Sequence, residues 1–293
     1  MDPNLLYWKH EGQSFVSRLR IWFNLLDPST LLSSDVRYLL TVLCLQSSVH
    51  ADTGDSLPLV FRPPGLSFQV VASFLPHSGV KPALFWQFML QSYTAGFNHA
   101  NRNSSSEQGK KTSLKQLLLL AGTVSYATCA GALPQIFINR LGIRSASLQT
   151  FFRSILPIPL SAALAFFSVS TIRSEESETG IQVFDSKGSP VGLSKAAGQK
   201  AVRETALSRA ALLGSTAAIP NLLVLLLKRT KVFKRNTLLA VPVRHMSVAF
   251  VLGLMIPISF SLFPQLGKIR KENVEEELKA AAVDGQLYYH RGL

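Results

Sequence analysis

Charge is what this sequence has least of. Charged residues fill 16% of its 293 positions, and only 17 of them are acidic, against about 25% charged in an average soluble domain. With 47% hydrophobic residues beside them, such a chain is not built for water alone. Cysteine is scarcer still, since Cys44 and Cys129 are the two in the sequence. Two thiols exclude a disulfide framework, and they cannot by themselves hold an iron–sulfur cluster, which normally takes four thiolates. Both are expected to be buried free thiols. Catalytic signatures are missing as well. With no Walker loop, no Gly-x-Gly-x-x-Gly, no His-Glu-x-x-His and no Gly-x-Ser-x-Gly, the chain is not expected to be an enzyme or to carry a cofactor or a metal. The first residues have no short apolar core behind a basic lead, and Asp2 and Glu11 interrupt what an Arg-rich leader would need. Any organelle address is therefore expected to be internal.

What is present is a surplus of base and a set of long uncharged runs. The formal charge is +13, but Lys and Arg sit in short clusters between apolar segments and no nucleic-acid motif accompanies them. The surplus therefore suits the headgroups of a lipid bilayer rather than nucleic acid. From Pro82 to Asn101 there is no Asp, Glu, Lys or Arg, about the 20 residues that a spanning helix needs. Inside that run Gln87, Gln91, Thr94, Asn98 and Asn101 recur at intervals of four, three, four and three, which makes one polar stripe on a helix. Amides facing lipid would lose their hydrogen bonds, so the stripe is expected to face other helices or a wet cavity. Two readings fit it: glue between helices, or the path of a polar solute.

Four further apolar runs bring the expectation to an all-α membrane protein with about five spans, at 82–101, 117–138, 154–172, 210–227 and 246–267. Each of the four carries interior proline, at Pro134, at Pro157 and Pro159, at Pro220 and at Pro257. Broken helices of this kind mark packing kinks or a transport site. Residues 1–62 form an amphipathic N-terminal region, 63–267 the membrane bundle and 268–293 a soluble C-terminal tail with a short acidic helix. Residues 63–80, broken by proline and glycine, are expected to be interfacial or re-entrant. The hydrophilic loop 173–209 contains a small β-hairpin, Ile181–Phe184 with Ser189–Gly192 around a turn at Gly188, and then a helix with a basic face of Lys195, Gln199, Lys200 and Arg203. Basic residues balance on the two sides of five spans, so the positive-inside rule assigns no orientation. Among polar clusters, His50, Asp52 and Asp55 are ligand types, but His50-Ala51-Asp52-Thr53-Gly54-Asp55 reads better as a capped turn than as a metal site.

Several of these segments together resemble the sideroflexin family. They are Leu26-Asp27-Pro28, His50-x-Asp52-Thr53-Gly54, Phe61-Arg62, Trp86-Gln87, Gln91-Ser92, Asn98-x-x-Asn101-Arg102, Gly188 with Gly192, and Phe263-Pro264-Gln265. The resemblance implies a multi-pass protein of the mitochondrial inner membrane that carries small neutral amino acids, serine above all, and is linked to iron handling. The chain departs from the family pattern at Ala51, Asp55, Pro63 and Leu90. Where the family usually has an Asn, Leu90 removes an amide beside the stripe, which argues against serine as the solute. Those departures look most like a divergent branch of the family, for which the resemblance implies assembly of respiratory complex I, with its assembly proteins as partners, and support of iron–sulfur and haem homeostasis.

Overall fold

The computed structural model describes residues 10, 12–26, 67–75, 77, 79–103, 114–280 and 284–292. The expected turn at His50, Asp52, Thr53, Gly54 and Asp55, and Cys44 with it, lies outside them. The helices are α1 (Phe15–Leu26), α2 (Ser67–Ser73), α3 (Val80–Ala100), α4 (Leu114–Arg140), α5 (Ala146–Ile172), α6 (Ser174–Thr179), α7 (Lys195–Leu227), α8 (Lys231–Arg235), α9 (Ala240–Ser261) and α10 (Glu276–Lys279). The strands are β1 (Ile181–Phe184), β2 (Pro190–Ser194), β3 (Leu266–Arg270) and β4 (Gln286–His290). The protein is thus mostly helical, as the apolar runs foretold, and carries one small sheet.

Helices α4, α5, α7 and α9 are long and apolar enough to cross a membrane by length and composition. Helix α3, with 21 residues and the polar stripe, runs beside α4 and α5. Large apolar side chains such as Phe85, Leu118, Tyr126, Leu226 and Phe250 stand exposed on the outside of these helices, as a surface solvated by lipid tails would. Inside, Leu90, Ala165, Leu212, Leu213 and Leu252 close around Val70 of α2. Cys129, expected to be buried, is exposed on α4: Ala127 and Ala130 take the inward face of that turn and leave the thiol pointing out.

Helix α7 corrects the division between a basic loop helix and a separate span. It runs unbroken for 33 residues, roughly 50 Å at 1.5 Å per residue, because nothing between Ser194 and Pro220 breaks it. Its start is doubly capped: Ser194 Oγ accepts from the Ala197 N–H at 3.1 Å, and Glu275 Oε1 accepts from the Lys195 and Ala196 N–H groups at 2.7 and 3.0 Å. Gly198 allows the helix to pass α6, since a Cβ there would lie 2.0 Å from the Glu176 carbonyl oxygen.

The tail is corrected more strongly. The last span stops at Ser261, short of 267, and the residues after it fold back as β3 and β4. With the hairpin they make an antiparallel sheet in the order β2-β1-β4-β3. The acidic helix shrinks to the four residues of α10. The hairpin turn is as read, with Gly188 at φ 83°. Sequence patterning missed the sheet because a two-stranded hairpin is barely stable alone, and its partner strands arrive from about a hundred residues away. One face of the sheet, with Val183, Ile269, Leu287 and Tyr289, packs on Ala197 and Ala201 of α7. Alanines there let the helix approach closely.

Candidate functional site

The helices alternate in direction, so the bundle has two polar ends. At the end away from the sheet, a cavity of about 110 Å³ opens between α2, α3, α4, α5, α7 and α9. Its walls carry Ser73, His77, Gln87, Gln135, Arg153, Ser161, Asn221 and Arg244 and, among the described residues, no carboxylate. Two prolines build it. Pro157 has no N–H to give to the Arg153 carbonyl, and the helix widens there into a π turn over Phe151–Ile155, in which the Leu156 N–H reaches back five residues to Phe151 at 2.9 Å. Pro134, inside α4, likewise leaves the Ala130 carbonyl without its helical donor. Beside it, Gly131 gives Gln87 its room: a Cβ on Gly131 would lie 2.4 Å from Gln87 Oε1.

His77 stacks beside Trp86, with ring centres 6.2 Å apart. Burial holds its pKa below the usual 6.5, against the opposing pull of a hydrogen bond to the Ala72 backbone. It is therefore neutral at pH 7, and its Nε2 is buried without a partner. The cavity thus offers two guanidinium groups, Arg153 and Arg244, for an anionic group. Neutral oxygens and one imidazole nitrogen remain for donors.

Of the predicted stripe, only Gln87 lines this cavity. Gln91 is buried and donates to Gln87 Oε1 at 3.4 Å. Asn98 and Asn101 turn back on their own helix, donating to the Thr94 and Phe97 carbonyls at 2.8 and 2.9 Å, and Thr94 takes part through its backbone. The lower stripe therefore braces α3. Leu90 lies in the apolar core, outside the cavity. Pro220 and Pro257 are buried inside α7 and α9, whereas Pro159 is exposed in the first turn of the segment after the π turn, where proline breaks little. Sequence reasoning missed His77, Asn221, Arg153 and Arg244. Asn221 had a signal, since it follows Pro220 inside an otherwise apolar run; the two arginines sit where a flanking charge is ordinary.

At the sheet end, three buried arginines gather. Arg173 engages all three of its nitrogens: Nε and Nη2 on Glu176 at 2.5 and 2.7 Å, Nη1 on Thr205 Oγ1 at 3.1 Å, and Nη2 also on the Arg291 carbonyl at 2.8 Å. Asn103 joins Glu176 to the His290 carbonyl, both at 3.0 Å, and Tyr289 donates to Glu204 at 3.2 Å. Burial brings the Arg291 guanidinium down to about 10, with attraction to Glu204 and repulsion from Arg173 opposing each other. Arg209 lies over the rings of Phe97 and Phe260, 5.1 and 4.3 Å from their centres, an arrangement that favours a cation. In this way α3, α5, α7 and the last strand are tied together.

A bundle of long helices, apolar outside and carrying its polar groups within and at its ends, is a multi-pass membrane protein. The chain belongs to the sideroflexin family, whose model, described as Sideroflexins, matches residues 42–293. It is 49% identical to Sideroflexin-4 of Danio rerio over the whole of both chains. It is 32% identical to Sideroflexin-4 of Homo sapiens, covering all of this chain and 93% of that one, and 27% identical to Sideroflexin-5 of Homo sapiens, covering 97% and 91%. No solved structure matches.

Proposed function

We propose that this protein is a carrier-like protein of the mitochondrial inner membrane whose cavity receives the head of a small neutral amino acid. One observation carries the reading: a polar cavity, lined by no carboxylate among the described residues, sits where Pro134 and Pro157 interrupt two spanning helices. Arg244 and Arg153 would hold the carboxylate. The ammonium would be met by the unpartnered His77 Nε2, by Gln87 and by carbonyls that the prolines release. The volume of about 110 Å³ admits a few heavy atoms, well below the ~300–1,000 Å³ of drug-sized pockets. Movement of proline-interrupted helices against the rest would alternate access. The test is uptake of labelled small amino acids into liposomes holding the parent protein or the Gln87→Leu/Asn221→Leu variant. Saturable uptake that the variant loses is expected. Equal uptake by both would remove the cavity from the path.

A second reading is assembly of respiratory complex I without transport, with the chain docking assembly proteins and supporting iron–sulfur and haem homeostasis indirectly. Two features favour it: Leu90 belongs to the core rather than to the cavity, and the polar end carries a folded sheet that a carrier does not require. Under this reading, the cavity variant restores complex I to cells lacking the protein as well as the parent does.

A further inference from the structure

The sheet end carries a second polar feature, on its outer side, that the carrier reading does not use. Between α7 and β3 lies an open groove of about 680 Å³. Lys200 and Arg203 line it from α7, Lys268 and Arg270 from β3, and Gln199 and Gln286 supply amides. Among the described residues, no carboxylate lines it. Glu204, the nearest acid on the helix, accepts from the Tyr289 hydroxyl. Among the described residues, none of the four cations forms an ion pair.

The backbone explains how these charges are brought together. β3 is an edge strand of the sheet. The Arg291 N–H donates to the Gln265 carbonyl and the Lys271 N–H to the Gly285 carbonyl, so the backbone groups of the odd-numbered residues point to β4 and those of the even-numbered ones point to the free edge. Lys200 Nζ accordingly donates to the Lys268 carbonyl at 2.6 Å. That bond fixes one ammonium beside the strand, while Lys268 and Arg270, two residues apart, leave the strand together on the face opposite Ile269 and line the groove from β3. Four like charges on adjoining elements repel one another, and a bound anion relieves that repulsion.

We propose that the groove between α7 and the free edge of β3 binds a phosphate-bearing anion through Lys200, Arg203, Lys268 and Arg270. Arginine forks and lysine point charges are the usual partners of phosphate oxygens. The groove's closeness to the apolar stretch of α7 favours a phospholipid headgroup as the source. Arg203 lies seven residues before Ala210, where the apolar stretch of α7 begins, or about 10 Å along the helix. The headgroup layer extends ~5–7 Å beyond the hydrocarbon on each side, within reach of an arginine side chain. One turn nearer the bilayer on the same face, Leu207 is 41% exposed, a surface for the first part of an acyl chain.

The test uses the full-length protein in a neutral detergent, in parallel with two variants. Lys268→Gln/Arg270→Gln empties the edge strand of charge. Lys228→Gln/Arg229→Gln removes the same charge from exposed positions at the opposite end of the bundle. Native mass spectrometry counts retained phosphatidylglycerol against phosphatidylcholine, and a thermal shift reports binding of inorganic pyrophosphate. If the groove variant unfolds, Arg203→Gln alone replaces it. The expected result is preferential retention of phosphatidylglycerol that weakens roughly tenfold or more in the groove variant, as removal of two basic residues near an anionic surface predicts, and is unchanged in the control. Pyrophosphate stabilisation lost in the groove variant, with no preference between the lipids, would keep the phosphate site and assign it to a soluble ester. Binding of neither probe, or an equal loss in the control variant, would overturn the proposal.

Discussion

At the sheet end, Arg173 is fully buried with all three of its nitrogens engaged, and Glu176 answers it through both oxygens. At the cavity end, Arg153 is exposed, Arg244 is half-buried, and the imidazole Nε2 of His77 has no partner. Both ends hold cations, yet Arg173 is held by hydrogen bonds on every nitrogen, and its neighbour Arg209, whose Nε and Nη1 have no hydrogen-bond partner, rests on two aromatic rings, whereas the cavity groups stand open. Buried charge is tolerated where hydrogen bonds fill its valence; polar groups kept short of partners are poised for something else to supply them. The two ends of a single bundle thus divide the work: one fixes the helices, the other leaves room between them.

The largest effect tests the fixed end. Arg173→Met should cost about 3–5 kcal/mol, because Glu176 would stay buried with its charge uncompensated. Arg244→Met, at the open end, should cost under ~1 kcal/mol, since a half-buried side chain keeps its access to water. Thermal unfolding in detergent reads both, and comparable losses would erase the contrast between the ends.

Gly131→Ala sharpens the comparison from the other side. The new methyl would meet Gln87 Oε1 at 2.4 Å and Cδ at 2.8 Å, atoms at the far end of a flexible side chain. Gln87 must swing into the cavity. Stability should move by less than ~1 kcal/mol, because alanine's better helix propensity offsets part of the crowding, while amino-acid uptake should fall at least tenfold. A large drop in melting temperature with uptake preserved would mean that this end is packed as tightly as the other.

The spans were legible because a bilayer imposes length and apolarity that composition reveals directly, and the hairpin turn because Gly188 had to adopt positive φ. The stripe was legible as a pattern but not as a function: four of its five members brace α3 or its neighbours, and only Gln87 reaches the cavity. The sheet and the buried arginines were not legible. Nothing local in Leu266–Arg270 or Gln286–His290 distinguishes a strand from a tail until β1 is beside it. Arg173 and Arg209 occupy the ends of apolar runs, where exposed flanking charge is the ordinary expectation; their burial follows from partners as distant as Arg291. Long-range pairing decides both, and periodicity cannot see it.

The smallest effect probes how the tail holds the start of α7. For Glu275, partial burial pulls the carboxyl pKa up, but hydrogen bonds from Ser194 and from the Lys195 and Ala196 N–H groups outweigh it, leaving the value below 4.5. A carboxylate whose pKa is depressed on folding contributes stability that is fully present above its unfolded value and fades as pH falls through the folded one. Its position at a helix N-terminus sets the size at ~0.3–1 kcal/mol. Between pH 7 and 5.5 the parent should therefore melt slightly higher than Glu275→Gln, and the difference should close as pH drops below 4.5. A gap that stayed constant through that range would show that the side chain caps α7 by shape and neutral hydrogen bonding alone.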